Sequence, residues 1–281
     1  MKRLLIGISA AASLLATGAL AADLPAKAPV YTKAPVYVDP GYDWTGFYVG
    51  GNVGYSWGRS GDTSTITNTA GTVLFTSPGS TGLDGIVGGG QFGYNWQIQS
   101  WVFGLEADFQ GSGEKGTRNF TCPTATCTPT TFVGVIALFP VPGVAVPVGL
   151  SQGIDWFGTV RGRIGILATP KVLLYATGGL AYGQVDSSAV IGAAATPFAT
   201  NSSTNFGWTL GAGIEGVIGG NWTARLEYLY VDLGKVNGSF LTTIGGLGGG
   251  VLSSNYSSHI TDNILRVGIN YKFGGPVVAK Y

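Results

Sequence analysis

Residues 101–110 read WVFGLEADFQ, with Trp101, Phe103, Leu105, Ala107 and Phe109 on one parity and Glu106 and Asp108 on the other. A β-strand sends successive side chains to opposite faces, so this segment has one wholly apolar face and one that carries two carboxylates. An apolar outer face alternating with a small or polar inner one is the pattern of a membrane-spanning barrel strand, about 9–11 residues long.

The same alternation spreads in both directions from this segment. Upstream, Ile86, Phe92, Tyr94, Trp96 and Ile98 face away from Gln91, Asn95 and Gln97, and before them Phe47, Val49, Val53, Tyr55 and Trp57 oppose Gly46, Asn52, Gly54 and Ser56. Downstream, Ile154, Trp156, Val160, Ile164 and Ile166 oppose Asp155, Thr159, Arg161 and Arg163. Val172, Leu174, Leu180 and Tyr182 form a fifth stripe, although Leu173 and Tyr175 spoil its polar parity. Phe206, Trp208, Leu210, Ile214 and Ile218 oppose Glu215. Trp222, Ala224, Leu226, Tyr228 and Tyr230 then oppose Arg225 and Glu227, and Leu265, Val267, Ile269, Tyr271 and Phe273 close the series.

Connection lengths provide a check that does not depend on parity. Residues 59–83, 111–152, 187–203 and 234–259 are long and rich in Ser, Thr, Gly and Pro, whereas Gln99-Ser100, Ala168-Thr169-Pro170 and Gly219-Gly220 are brief. Outer-membrane barrels alternate long external loops with short periplasmic turns, so four long and three short connections predict eight strands. The expected fold is all-β: an eight-stranded antiparallel transmembrane up-and-down β-barrel over residues 44–273. Its even strand number returns both ends to one side, and closure leaves no sheet edge in hydrocarbon. Trp44, Phe47, Trp96, Trp101, Trp222, Tyr271 and Phe273 fall at the periplasmic ends. Tyr55, Trp57, Phe109, Trp156, Tyr182, Phe206, Trp208, Tyr228 and Tyr230 fall at the opposite ends, so that two interfacial aromatic belts are expected.

Composition agrees with this reading. Only 10% of residues are charged, where a soluble domain has about 25%, and 48 of 281 residues are Gly. An aromatic content of 12% argues against disorder, and glycine without a three-residue period excludes collagen. Fifteen basic and fourteen acidic residues offer no basic surface for nucleic acid. Lys2 and Arg3 precede an apolar stretch from Leu4 to Leu20 that ends Ala19-Leu20-Ala21, the pattern of a signal peptide over residues 1–21. Residues 22–43 repeat KAPVY at Lys27 and Lys33, an extended Pro-spaced tether, and residues 274–281 form a short tail. Export places Cys122 and Cys127 in an oxidising compartment, where a disulfide stapling a short loop is expected to persist.

The inward parity also carries charge. Glu106, Asp108, Arg161, Arg163, Glu215, Arg225, Glu227 and Arg266 number four of each sign. The interior of an eight-stranded barrel is just wide enough for its own side chains, so these residues are expected to form a buried ion-pair network that fills the lumen. The single histidine, His259, lies in SSHITD with Ser257, Ser258 and Asp262, too little for a catalytic triad. No enzyme, metal site or cofactor is expected. Phe132 to Leu150 is an apolar run expected to pack against the strands or the barrel mouth.

The final strand NILRVGINYKF, with Gly268, Tyr271 and Phe273, resembles the signal by which assembly machinery recognises outer-membrane barrels. With DWTGFYVGGNVGYSWG at residues 43–58, YATGGLAYG at 175–183 and RLEYLYVDLG at 225–234, the chain resembles the small porin-family surface antigens of alphaproteobacteria, relatives of OmpA-like barrels, over about residues 42–273. The resemblance implies the outer membrane of a Gram-negative bacterium. It also implies lipids, lipopolysaccharide and the barrel assembly machinery as partners, and peptidoglycan linked through a mature terminus at Ala22. A structural, envelope-integrity and surface-display role is the expectation, with a narrow porin or loop-mediated adhesion as the alternatives. The chain departs from the pattern by continuing past Phe273 as GGPVVAKY, so the assembly signal is internal or Tyr281 supplies the terminal aromatic.

Overall fold

The computed structural model describes residues 41–67, 71–122, 131–133, 136–138, 146–191, 199–244 and 250–274. The expectations on the signal peptide, Ala22, the KAPVY repeats, most of the C-terminal tail and the Cys122–Cys127 pair lie outside the described residues or their described side chains. Every described element is a strand: β1 (Gly46–Thr67), β2 (Val73–Ile98), β3 (Trp101–Cys122), β4 (Thr131–Val133), β5 (Ile136–Leu138), β6 (Val146–Thr169), β7 (Val172–Ile191), β8 (Ala199–Gly219), β9 (Trp222–Ile244) and β10 (Gly250–Lys272). Eight of them close a barrel in the order β1-β10-β9-β8-β7-β6-β3-β2, and β4 and β5 form a separate two-stranded hairpin. Every neighbouring pair in the ring is antiparallel, including the closing pair, where Tyr48 opposes Lys272 and Tyr55 opposes Leu265.

The outer face is the apolar stripe read from the sequence. Phe47, Phe92, Leu105, Phe109, Leu180, Leu210, Ile218, Val267 and Ile269 all point away from the interior. Aromatic side chains meet along the two rims of this band. Trp222 stacks edge-on to Tyr271 at 5.0 Å near the short turns, and Phe109 lies parallel to Trp156 at 5.4 Å at the other end.

Strand length departs from expectation. The eight barrel strands run from 20 residues in β7 to 26 in β2, and much of 59–83, 111–152, 187–203 and 234–259 is ladder where loops were expected. Bilayer thickness sets only the minimum length of a strand. Above it, alternating Ser and Thr suit a sheet solvated on its outer face, and the ladder below templates their continuation. The short turns shift by one residue: Pro170–Lys171 and Gly220–Asn221 make them, because Thr169 still opposes Val172 and Gly219 opposes Trp222. Gln99–Ser100 turns as expected, with Gln99 at φ 56°.

Three side chains face the other way from their sequence assignment. An irregularity between Ile154 and Trp156 turns Ile154 inward and leaves Asp155 exposed, because a bulge resets the two-residue period. Trp44 was assigned to the periplasmic belt but is only 1% exposed, packed with Val102, Leu173 and Tyr175 inside the lower mouth. Its backbone N–H donates to Gln97 Oε1 at 2.8 Å, and its indole N–H donates to the Pro170 carbonyl at 3.3 Å. The same cluster explains the irregular fifth stripe, because Leu173 and Tyr175 face inward to complete an apolar floor.

Candidate functional site

The barrel interior is layered from the short-turn end upward. Above the floor lies the charge layer, and the structure brings all eight residues of the inward-parity set into it. Arg161 is its hub: Nη2 donates to Glu106 Oε1 and, at 2.8 Å, to Asp108 Oδ2, while Nη1 reaches Glu227 Oε1 at 3.1 Å. Arg266 spans the same acids, with Nε on Glu227 Oε2 at 2.7 Å and Nη2 on Asp108 Oδ2 at 3.0 Å. Arg225 Nη1 donates to Glu106 Oε2 at 2.5 Å, and Arg163 Nη2 donates to Glu215 Oε2 at 2.7 Å. All eight are buried.

Neutral groups complete the layer, and charge counting on the sequence passed over them. Tyr48 donates to Glu106 at 2.7 Å, Tyr175 to Glu227 at 3.0 Å, Thr159 to Asp108 at 2.9 Å, and Thr223 and Asn270 to Glu215 at 2.6 and 2.9 Å. The Arg163 guanidinium sits 4.1 Å over the Tyr175 ring. Two glycines make room for the rings: a Cβ at Gly93 would stand 2.4 Å from the Tyr48 hydroxyl, and one at Gly213 would stand 2.6 Å from the tip of Tyr175. The signal was present in the inward parity of Tyr48 and in the irregular parity of Tyr175.

Higher in the barrel, Leu83, Val87, Ile154, Phe157, Val185, Leu229, Val231, Leu233, Ile260 and Ile264 form a buried apolar cluster. A second polar set lies on the inward columns that also carry it. Asp62 accepts from Ser60 at 2.7 Å, Thr81 at 2.6 Å and Ser258, Asp262 accepts from Ser56, and Glu114 accepts from Ser112 at 3.0 Å. The expected balance of four and four therefore does not hold for the whole interior. Among the described residues, Asp62, Glu114 and Asp262 are also buried carboxylates, while Lys272 at the lower rim is the one further buried base. Parity would have found Asp262, but Asp62 and Glu114 fell in stretches assigned to loop, although Glu114 keeps the inward parity of Glu106 and Asp108.

At the lower rim, Lys272 Nζ donates to the carbonyls of Asp43 and, at 3.3 Å, Thr45, and it lies 4.8 Å from the Tyr42 ring. Burial there, with Glu215 and Asp43 nearby, pushes the Tyr42 hydroxyl well above the usual tyrosine range. Gly268 sits where a Cβ would be 2.9 Å from the Gly51 carbonyl, and Tyr271 and Phe273 pack edge to face at 5.4 Å beside Trp222. His259 faces outward and bonds Asp232 at 2.9 Å, whereas Ser258 and Asp262 point into the barrel, so alternation separates the histidine from both. No cluster of metal-ligating side chains occurs among the described residues.

A closed antiparallel ring with an apolar, aromatic-rimmed exterior and a polar, self-paired interior defines an integral outer-membrane β-barrel. The chain belongs to the outer membrane protein beta-barrel domain family, whose pattern it matches over residues 8–273. It is 37% identical over 280 residues to the 31 kDa outer-membrane immunogenic protein of Brucella melitensis, covering 95% of this chain and 98% of that one. It is 31% identical over 241 residues to a 22 kDa outer membrane protein of Rhizobium leguminosarum, covering 86% and 82%. Among solved structures it is similar to the outer membrane protein OprG from Pseudomonas aeruginosa, with 11% identity, TM-score 0.43 and 81% and 97% of the two chains covered. It is also similar to Neisserial surface protein A, with 11% identity, TM-score 0.37 and 82% and 98% covered. The protein resides in the outer membrane of a Gram-negative bacterium, as its relatives do, and those named relatives carry no enzymatic names.

Proposed function

We propose that this barrel is a sealed scaffold that serves envelope integrity and surface display, and not a pore or an enzyme. The observation that carries the reading is the cross-section at Arg161. Four arginines and four carboxylates, each at most 5% exposed, pair with one another in one layer, between the apolar floor around Trp44 and the apolar cluster around Leu229. A hydrated ion crossing this section would have to break several charge-assisted bonds in a medium of low dielectric. The outer ladders continue well past the aromatic rim and hold residues such as Thr63, Asn237 and Ser257 outside the cell. There a rigid barrel presents them to lipopolysaccharide, to other cells or to antibodies.

At the other end, a tether linked to peptidoglycan through Ala22 would join the barrel at the tightly packed Tyr42–Trp44 segment. The Tyr271–Phe273 rim, beside the inward Gly268, would supply the assembly signal. Planar-bilayer recordings of the refolded mature protein test the sealed lumen. No unit conductance is expected, and regular single-channel steps would overturn the reading in favour of a narrow porin.

A further inference from the structure

Above the outer aromatic rim the barrel does not stay closed. The β8–β9 ladder ends at Trp208↔Asp232, yet β7–β8 continues to Ala189↔Ala199 and β9–β10 to Ile244↔Gly250. The cause is local. Gly234 adopts φ +73°, its N–H donates to Asp232 Oδ1 at 2.8 Å, and the register against β10 shifts between Ile260 and Thr261. A bulge of this kind bends the strand that carries it, and the β8–β9 ladder ends there. Residues 199–207 of β8 and 235–244 of β9 thus present main-chain edges that pair with no strand among the described residues.

The opposite seam is managed differently. The β2–β3 ladder also stops, at Asp84↔Lys115, but there Arg118 reaches across and donates to Ser77 Oγ at 3.0 Å and the Pro78 carbonyl at 2.9 Å. Arginine and proline on an edge are devices that block strand addition. Residues 199–207 contain neither a charge nor a proline, and residues 235–244 contain no proline and one charge, Lys235, at the foot of the edge. Across this seam Asn201 Nδ2 donates to the Tyr256 hydroxyl at 2.9 Å. At its foot Phe206 keeps 77% of its surface exposed.

We propose that the β8–β9 seam is closed in trans by a second copy of this chain, β8 of each pairing with β9 of the other. Copies in one membrane share height and direction, so a two-fold axis along the membrane normal brings each β8 edge against the partner's β9 edge. That relation is antiparallel, as in the ladder below. Two equivalent ladders form at once, and the extracellular strands become one continuous ring. An unrelated chain would match neither height nor direction in this way. The reading is independent of whether the lumen conducts.

Carrying the Trp208↔Asp232 register across the bulge sets Thr204 opposite Asn237, and both are exposed. In a Cys122→Ser/Cys127→Ser background, differently tagged copies carrying T204C and N237C are co-expressed and oxidised in intact cells. A disulfide-linked heterodimer is expected, and it is expected to be lost when T117C, on the latched seam, replaces T204C. Three results would overturn the proposal: no inter-copy product, a chain bearing both T204C and N237C that closes only on itself, or a product with a protein of another mass. N237K, a second charge on the β9 edge beside Lys235, is expected to reduce native dimer in detergent while leaving the heat-modifiable barrel folded. Unchanged dimer would count against the seam.

Discussion

Replacing Arg161 with methionine removes the hub of the charge layer while nearly conserving volume. Glu106, Asp108 and Glu227 lose a shared donor and are left facing one another, with Arg225 and Arg266 covering only part of the deficit. Removing one partner from a buried ion pair costs about 3–5 kcal/mol, because the remaining charge stays desolvated. With three acids affected and two arginines compensating, the upper part of that range is expected. Urea unfolding of the refolded barrel in lipid vesicles, followed by tryptophan fluorescence, reads the difference directly. Adding Glu106→Gln and Glu227→Gln to Arg161→Met should recover at least part of the loss, because the orphaned charges disappear with the base. A single-variant loss under about 1 kcal/mol would refute the claim that these residues pair in a dry lumen, since solvent-exposed ion pairs contribute about that much or less.

Further outcomes follow from the packing. Trp44→Ala empties the floor and should cost about 3–5 kcal/mol in the same unfolding assay, with no conductance gained, because the charge layer above is untouched. Gly93→Val places a branched side chain where a Cβ would stand 2.4 Å from the Tyr48 hydroxyl, and it should lower stability by more than Tyr48→Phe, which removes only the hydroxyl and its bonds to Glu106 and Arg163. Mass spectrometry after alkylation without reductant should find Cys122 and Cys127 unlabelled in protein isolated from the outer membrane; labelling of both would remove the proposed staple.

Much of the fold was legible because a membrane barrel imposes a two-residue period wherever lipid meets one face. WVFGLEADFQ and the stripes around it therefore declared both strand and orientation. Legibility stopped where that constraint stops. Beyond Trp57 and Trp156 both faces of a strand are polar or free to vary, so Thr63, Ser64 and Thr65 read as loop although they lie in a ladder. Inside the barrel the limits were different. Parity named all eight charged residues of the layer, but a single bulge inverted Ile154 and Asp155, and Glu114 was missed because residues 111–152 read as loop. Trp44 was misplaced because composition marks an aromatic near a membrane end without telling whether it faces lipid or plugs the mouth.

The distribution of charge within the lumen bears on what the barrel is for. A conducting pore has reason to keep one stripe of unpaired charge along a wet path, whereas here the arginines are confined to a single layer and are consumed by four acids. The three remaining carboxylates, Asp62, Glu114 and Asp262, bond to hydroxyls and lie on the outer side of that layer. An ion admitted from outside could reach these acids and still meet the arginine section beneath them. Under the proposed function the interior works as structure, and the chemistry open to selection lies in the strands that rise above the membrane. There one seam is crossed by Arg118, and at the other Asn201 reaches Tyr256 while the two strand edges carry one charge between them, Lys235.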